Sequence, residues 1–212
     1  MKKIKLSLSC CPPTSRGEQR KEALLAAARQ IFIEKGYAGT SIDEVVQRTG
    51  GSKASVYKYF GNKEGLFAEM FSAHCQTMLE TLGIPTTISD NLEQTLTLFA
   101  ERVLVAFIDD ERIAMIRALI AEAARFPDLA RMAYNTGPKH GLRLLADFLQ
   151  RHHQAGLLNC PHPDIAAVQF MEMIKGHVQS RALLGLTPFP DHLNREDYIK
   201  DAVGVFLRGY QA

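Results

Sequence analysis

The chain has 212 residues, of which 46% are hydrophobic and 23% charged, with a formal net charge of +2. This is ordinary globular composition, long enough for one small domain joined to a larger one. It excludes a fibrous or low-complexity protein. No stretch reaches the ~18 uninterrupted apolar residues of a membrane-spanning helix, so a cytoplasmic protein with no membrane partner is expected.

The small net charge hides an uneven distribution. Up to Lys63 there are 12 Lys and Arg against 5 Asp and Glu; from Glu64 onward there are 13 against 18. A basic head on an acidic body suits a nucleic-acid binder that carries a second module.

Residues 1–16, MKKIKLSLSCCPPTSR, form the least patterned stretch. The apolar run is broken by Ser7 and Ser9, too early for a secretory signal. The expectation is a flexible basic arm in which Lys2, Lys3, Lys5 and Arg16 attract phosphate; a tail with no role is the other reading. Cys10, Cys11, Cys75 and Cys160 show no zinc-ligand spacing, so free thiols are expected. Lysines near Cys10-Cys11 leave a redox pair open.

Two very short helices follow around Thr40 to Phe60. Ser41 and Glu44 fit a capping box, and Ile42, Val45, Val46 and Thr49 make one buried stripe. Gly50 supplies a left-handed stop and Gly51 a sharp turn. Ser52 caps the second helix, anchored by Val56 and Phe60. Gly61-Asn62 ends it and caps the next. Lys53 and Lys63 each fall in a first helical turn, where a cation faces the wrong end of the dipole but completes a phosphate site. Tyr57 and Tyr59 are poor solvent residues and good phosphate or base-edge contacts. An ordinary helical hairpin with surface lysines is the bland alternative.

These residues resemble the DNA-binding domain of the TetR/AcrR family of bacterial transcriptional regulators. The resemblance runs through LLAAARQIFIEKGYAGTS, IDEVVQRTGGSKASVYKYF and NKEGLF, about the first third of the chain. Tyr57-Lys58-Tyr59-Phe60 and Lys63-Glu64 are its most specific parts. EAARFPDLA, followed by a Gly-Pro break, resembles the AefR-like branch. One departure is visible: Gly51 stands where the family usually has a β-branched residue that plugs the space between the two helices, which predicts a looser turn. The fold implied is all-α, with a basic tail at 1–16, a three-helix helix-turn-helix domain at 17–63, and a ligand-binding and dimerisation domain at 64–212. The DNA-contacting residues expected are Thr40, Ser41, Ser52, Lys53, Ala54, Ser55, Tyr57, Lys58, Tyr59 and Lys63.

Beyond Asn62, proline and glycine divide a continuous helical pattern. Helices are expected from Lys63 to about Leu82, Ser89 to Ile108, Asp109-Asp110 to Phe126-Pro127, Asp128 to Gly137-Pro138, Lys139 to Gln154, Pro163 to about Leu184, and Arg195 to Tyr210. His152, His153, Cys160 and His162 lie close in sequence. The two adjacent histidines point to different sides of a helix, so no metal site is expected.

The last two helices are apolar over more than one face, which favours pairing with a symmetry mate as a four-helix bundle. Val168, Met171, Val178, Ala202, Val203, Phe206 and Tyr210 are the candidate homodimer contacts. The family resemblance, more than periodicity, implies an effector pocket in the body. Its candidate lining is Met78, Phe99, Val103, Met115, Leu119, Met132, Leu144, Phe148, Phe170, Ile174 and His177, with Arg117, Arg181 and His140 for polar recognition. A Phe or Met stripe is also plain core.

No Gly-rich phosphate loop, G-x-S-x-G elbow or H-E-x-x-H motif is present, so neither an enzyme nor a cofactor is expected. The reading is a homodimeric repressor that binds a palindromic double-stranded DNA operator and is released by a small-molecule effector. The alternatives are a DNA-binding protein without effector control, or an activator.

Overall fold

The computed structural model describes residues 15–84, 87–89 and 91–212. Ten helices follow one another with no strand among the described residues: α1 (Arg16–Gly39), α2 (Ile42–Thr49), α3 (Lys53–Phe60), α4 (Lys63–Leu82), α5 (Leu92–Phe107), α6 (Asp110–Ala123), α7 (Pro127–Thr136), α8 (Pro138–Gln154), α9 (Pro163–Leu183) and α10 (Arg195–Gly209). Lys2, Lys3, Lys5 and Cys10-Cys11 lie outside the described residues. Arg16 does not belong to a tail. It opens α1, which Ser15 caps by accepting the Glu18 N–H at 3.2 Å.

Local chemistry sets most helix ends. Ser41, Ser52, Asn62, Asn91 and Asp109 each accept a backbone N–H from the first turn they cap. α5 starts three residues later than Ser89, because the Ser89 hydroxyl pairs with Thr95 Oγ1 at 2.6 Å ahead of the Asn91 cap. The capping box at α2 is only half made. Glu44 directs its carboxylate to Lys35 at 2.8 Å and Arg48 at 3.0 Å, two cations being stronger partners than a backbone N–H.

Two hydrophobic cores divide the molecule. The head core joins α1–α3 to the first half of α4, through Leu66, Phe67, Met70 and Phe71, and continues into Met115, Leu129 and Ala133 of α6 and α7. The body core takes Met78 and Leu82 from the second half of α4, then α5 and α8–α10. α4 therefore belongs to both cores. Residues 63 and 64 both lie in the first turn of this one helix.

The joint between head and body is aromatic. Tyr37 meets Phe67 and Phe126 edge-on, at 4.5 and 4.8 Å between ring centroids, and Phe32 meets Phe67 at 5.0 Å. Gly36 breaks α1 with φ 70°, and a Cβ there would lie 2.4 Å from Glu122 Oε1. Only glycine takes this conformation so near a neighbouring carboxylate. EAARFPDLA thus forms the α6–α7 corner that bears on the end of α1. A cleft of about 380 Å³ opens there, between Tyr37, Glu64, Arg125, Phe126, Asp128 and Met132.

The inward and outward faces of α9 and α10 differ from the expected set. Val178, Val203 and Phe206 are turned into the body core at 2% exposure or less, and Met171 is buried with them. Helices apolar on several faces do not reveal by periodicity which stripe meets their own chain. Outward stand Ile165, Val168 and Val205, each about half exposed. Ala202 and Tyr210 are partly buried beside them. Val205, Gly209, Tyr210, Gln169, Glu172 and Met173 line an open groove of about 540 Å³.

Candidate nucleic-acid interface

α2 and α3 are eight residues each, and they are held from outside. α2 buries only Val45, and α3 buries Val56 and Phe60. Between them Gly50 takes the left-handed conformation, φ 66° and ψ 33°. The glycine at 51 is explained by Arg20 of α1. Its Nη1 donates to the Thr49 carbonyl at 2.7 Å, and its guanidinium fills the space beside the turn. A Cβ at Gly51 would lie 1.5 Å from Arg20 Nη2. The turn is therefore not loose, because an arginine from another helix fills the place expected of a local β-branched side chain.

Ion pairs fix α2 to α1. Arg48 meets Glu34 at 2.5 Å and Glu44 at 3.0 Å, while Lys35 meets Glu44 at 2.8 Å. The Arg48 hydrogen bond holds the Glu34 carboxyl below its usual range, and Lys35 does the same for Glu44. Glu34, Lys35 and Arg48 are solvent-exposed and Glu44 is partly buried, so the effect of these pairs is orientation more than stability.

The expected DNA-contacting residues divide into three groups. Ser41, Ser52, Lys53, Ala54, Tyr57 and Lys58 are exposed, Tyr57 by 51%. Lys53 leans on Asp43 at 2.6 Å, which holds its ammonium above the ordinary value. Lys58 has no ion pair among the described residues and sits in the last turn of α3. No acidic residue occupies the first turn of α3, whereas α2 carries Asp43 and Glu44 there. The first turn of α3 thus has no acid of its own, and the carboxylate against its Lys53 comes from Asp43 of α2.

Ser55, Tyr59 and Lys63 are partly buried. The Ser55 hydroxyl pairs with Ser52 at 3.1 Å, and Tyr59 packs against the head core. Lys63 places its Nζ 4.4 Å over the Tyr37 ring and 3.5 Å from the Ala38 carbonyl; burial pushes its ammonium down. Thr40 requires a correction. It is 2% exposed, and its hydroxyl donates to the Gly36 carbonyl at 2.7 Å, closing the broken end of α1. Its side chain serves the fold and does not reach the surface. Arg20 went unrecognised in the sequence because its partner lies 29 residues away.

The residues expected to line an effector pocket do not converge on one cavity. Met78, Phe99, Val103, Phe148, Phe170 and Ile174 are packed in the body core, and Leu144 is partly buried on α8. Met115 lies in the head core, with Leu119 and Met132 packed against it. His177 is exposed. Methionine and aromatic stripes filled space here, as such stripes commonly do. Arg117 donates to the Leu183 and Ala182 carbonyls at 2.8 and 2.6 Å, closing the end of α9, and Arg181 donates to Thr187 at 2.8 Å. Both guanidiniums are engaged in the fold. His140 is partly buried on α8. His152, fully buried, accepts the Ser89 N–H at 3.1 Å on Nε2 and lies 2.9 Å from the Phe148 carbonyl on Nδ1.

A short helix pair braced by a third, with a polar face turned outward, defines a helix-turn-helix DNA reader. Residues 24–70 match the N-terminal domain described as bacterial regulatory proteins, tetR family, and residues 94–212 match the AefR-like transcriptional repressor C-terminal domain. The chain belongs to the TetR family of transcriptional regulators, with an AefR-like C-terminal domain.

Among solved structures, the flavonoid-responsive regulator FrrA is 34% identical with a TM-score of 0.80, over 91% of this chain and 97% of its own. A TetR-family transcriptional regulator from Mesorhizobium loti is 28% identical with a TM-score of 0.80, over 93% of this chain and 100% of its own. The HTH-type transcriptional regulator YvkB of Bacillus subtilis is 25% identical over 192 residues, 89% of this chain and 96% of its own. Members of the family bind DNA and are typically repressors. No helix among the described residues is long and apolar enough to cross a membrane.

Proposed function

We propose that this chain is a ligand-responsive repressor that binds a palindromic operator as a homodimer. The observation that carries the reading is the surface of α3. Val56 and Phe60 anchor it inward, while Tyr57, Lys58 and Lys53 stand outward on a helix with no acid in its first turn. Tyr57 and Ser55 approach base edges, and Lys53, Lys58 and Lys63 serve phosphates, together with the Ser41 and Ser52 caps and the backbone at Ala54. One helix this short reads only a few base pairs. A second copy on a two-fold axis supplies the other half-site. The outward stripe of Ile165, Val168 and Val205, with Tyr210 and Ala202 at its edge, supports pairing through α9 and α10.

A head of residues 17–63 acts on a body of residues 64–212 through α4, which contributes to both cores, and through the α6–α7 corner. An effector that binds one body arrangement more tightly shifts the spacing of the paired α3 helices away from successive major grooves. A near-complete shift requires a few kcal/mol of differential affinity. Effector control is supported by the likeness to FrrA, a flavonoid-responsive regulator. The test is a titration of a labelled fragment from the chain's own upstream region beside a random duplex. The account expects preference for the former, a protein mass of two chains per fragment, and release by a compound that binds the chain. Equal affinity for both duplexes, with no release, makes the protein an architectural DNA binder instead.

A further inference from the structure

The N-terminal end of α3 has no buried side chain of its own. Its core anchors, Val56 and Phe60, come later, and Lys53 and Ala54 ahead of them are exposed. The ion pair of Lys53 with Asp43 is exposed on both sides and holds weakly. The placement of that end is left to the turn from Thr49 to Ser52, which carries the α3 cap.

That turn is gripped from α1. Arg20 lies one helical turn before the fully buried Leu24, on the same face. Its Nη1 donates to the Thr49 carbonyl at 2.7 Å, one of those that the end of α2 leaves free, and a cation there suits the helix dipole. The rest of the guanidinium faces Gly51. A Cβ at Gly51 would meet Nη2 at 1.5 Å, Cζ at 2.6 Å and Nε at 3.2 Å. Nη2 is shielded from solvent with no hydrogen-bond partner among the described residues, so shape and the Thr49 carbonyl hold the group in place. Gly51 differs from Gly50 beside it. Gly50 has a positive φ and open space where a Cβ would stand. Gly51 does not have a positive φ, so its backbone would accept a side chain and the guanidinium is what excludes one. Arg20 and Gly51 therefore share one space, which either the guanidinium or a small side chain at 51 can fill.

We propose that Arg20 is a positioning residue for DNA reading. Wedged between the end of α2 and Gly51, its guanidinium sets the angle at which the first turn of α3 meets the major groove. Control of that angle passes from a side chain in the turn to one on α1. Tilting so short a helix moves Ser55 and Tyr57 away from base edges, while the lysines that face phosphates keep their charge. Arg20 therefore acts on discrimination between sequences more than on affinity for DNA in general. The inference rests on the reading of α3 as the recognition helix and adds what orients it.

The experiment measures the affinity of the full chain for two duplexes, one that it selects from a random library and a random one of equal length. Each variant is checked by circular dichroism to be folded when it is measured. Arg20→Ala lowers the preference for the selected duplex by about tenfold, the loss of roughly one base contact. It leaves random-duplex binding within about threefold of the parent, with the same salt slope. Gly51→Val alone lowers the preference similarly, because its side chain displaces the guanidinium. The two changes together restore it to within about threefold of the parent, because valine refills the space. A phosphate contact would not be rescued in this way, since valine carries no charge. Where Arg20→Ala alone does not fold, a double variant that folds and keeps the preference supports the shared space. Three results overturn the proposal and leave the reading of α3 standing. Arg20→Ala keeps the parent's preference; the double variant reads as poorly as Gly51→Val or fails to fold; or the random-duplex salt slope of Arg20→Ala falls in magnitude by about 0.9, which makes Arg20 a phosphate contact. A parent chain with no preference among duplexes overturns that reading and the proposal together.

Discussion

The α2–α3 pair and the α9–α10 pair are both two helices and a connection, yet they are built on opposite terms. α2 and α3 bury three residues between them, Val45, Val56 and Phe60. α9 alone buries seven, from Ala166 to Ala182. Helices of eight residues are marginal alone, so caps, an arginine from α1 and the floor formed by α1 and α4 hold them. What they gain is surface: Lys53, Ala54, Tyr57 and Lys58, half of α3, stand exposed. The long helices are held by their own burial, which leaves only the outer stripe of each for another chain.

This difference can be broken by removing the floor. Phe67→Ala deletes a fully buried ring that touches Phe32 and Tyr37. It should cost about 3–5 kcal/mol in denaturant unfolding, and it should also weaken DNA binding by the molecules that remain folded. Phe148→Ala, fully buried in the body core, should cost a similar amount. Measured on folded protein, its DNA affinity should stay within about threefold of the parent, roughly 0.7 kcal/mol. Equal loss of affinity in both variants would mean that the head does not depend specifically on its own core.

Acid sharpens the comparison at the joint. Burial pushes the His74 imidazolium down to about 4, whereas the unfolded chain binds that proton near 6.5. The stabilisation is therefore complete above pH 6.5 and is lost as pH falls toward 4, by roughly 1.4 kcal/mol per pH unit. Urea midpoints at pH 7 and 5 should show a smaller acid loss in His74→Phe than in the parent, by about 2 kcal/mol. An identical loss would place His74 in a solvated, unperturbed setting.

The turn offers a reciprocal test. Gly51→Val should destabilise by about 1–3 kcal/mol, because the new side chain enters the space of the Arg20 guanidinium. In an Arg20→Ala background the same valine should cost at least 1 kcal/mol less. Additive costs would show that Arg20 does not occupy the turn. The smallest effect belongs to the surface. Lys58→Ala should leave stability within about 0.5 kcal/mol and reduce the magnitude of the salt slope of DNA binding by about 0.9. Lys53→Ala should change it less, because Asp43 already shares that charge.

The same contrast explains what could be read from the sequence. Caps and stops act within four residues, so Ser41, Ser52, Asn62, Gly50 and Gly83 marked helix ends directly. The exposure of Tyr57 and Lys58 followed from the spacing of Val56 and Phe60. Contacts between distant residues were not legible. Nothing local to Gly51 announces Arg20, and nothing local to Thr40 shows that a break at Gly36 turns its hydroxyl inward. On α9 and α10 the apolar pattern covers several faces, so it could not assign Val178 and Phe206 to the chain's own core or Val205 to its surface. The candidate effector residues were chosen by size and apolarity, which identify core, and only three-dimensional packing shows that most of them divide between two cores.

The central claim is that two copies of the chain present two α3 helices to one symmetric DNA site. Selection of bound duplexes from a random library by the purified chain tests it most directly. The account predicts recovered sequences that are inverted repeats, bound by two chains or a multiple of two, with the isolated half-site at least 100-fold weaker. Recovered sequences without two-fold symmetry, bound equally well by a single chain, would contradict it.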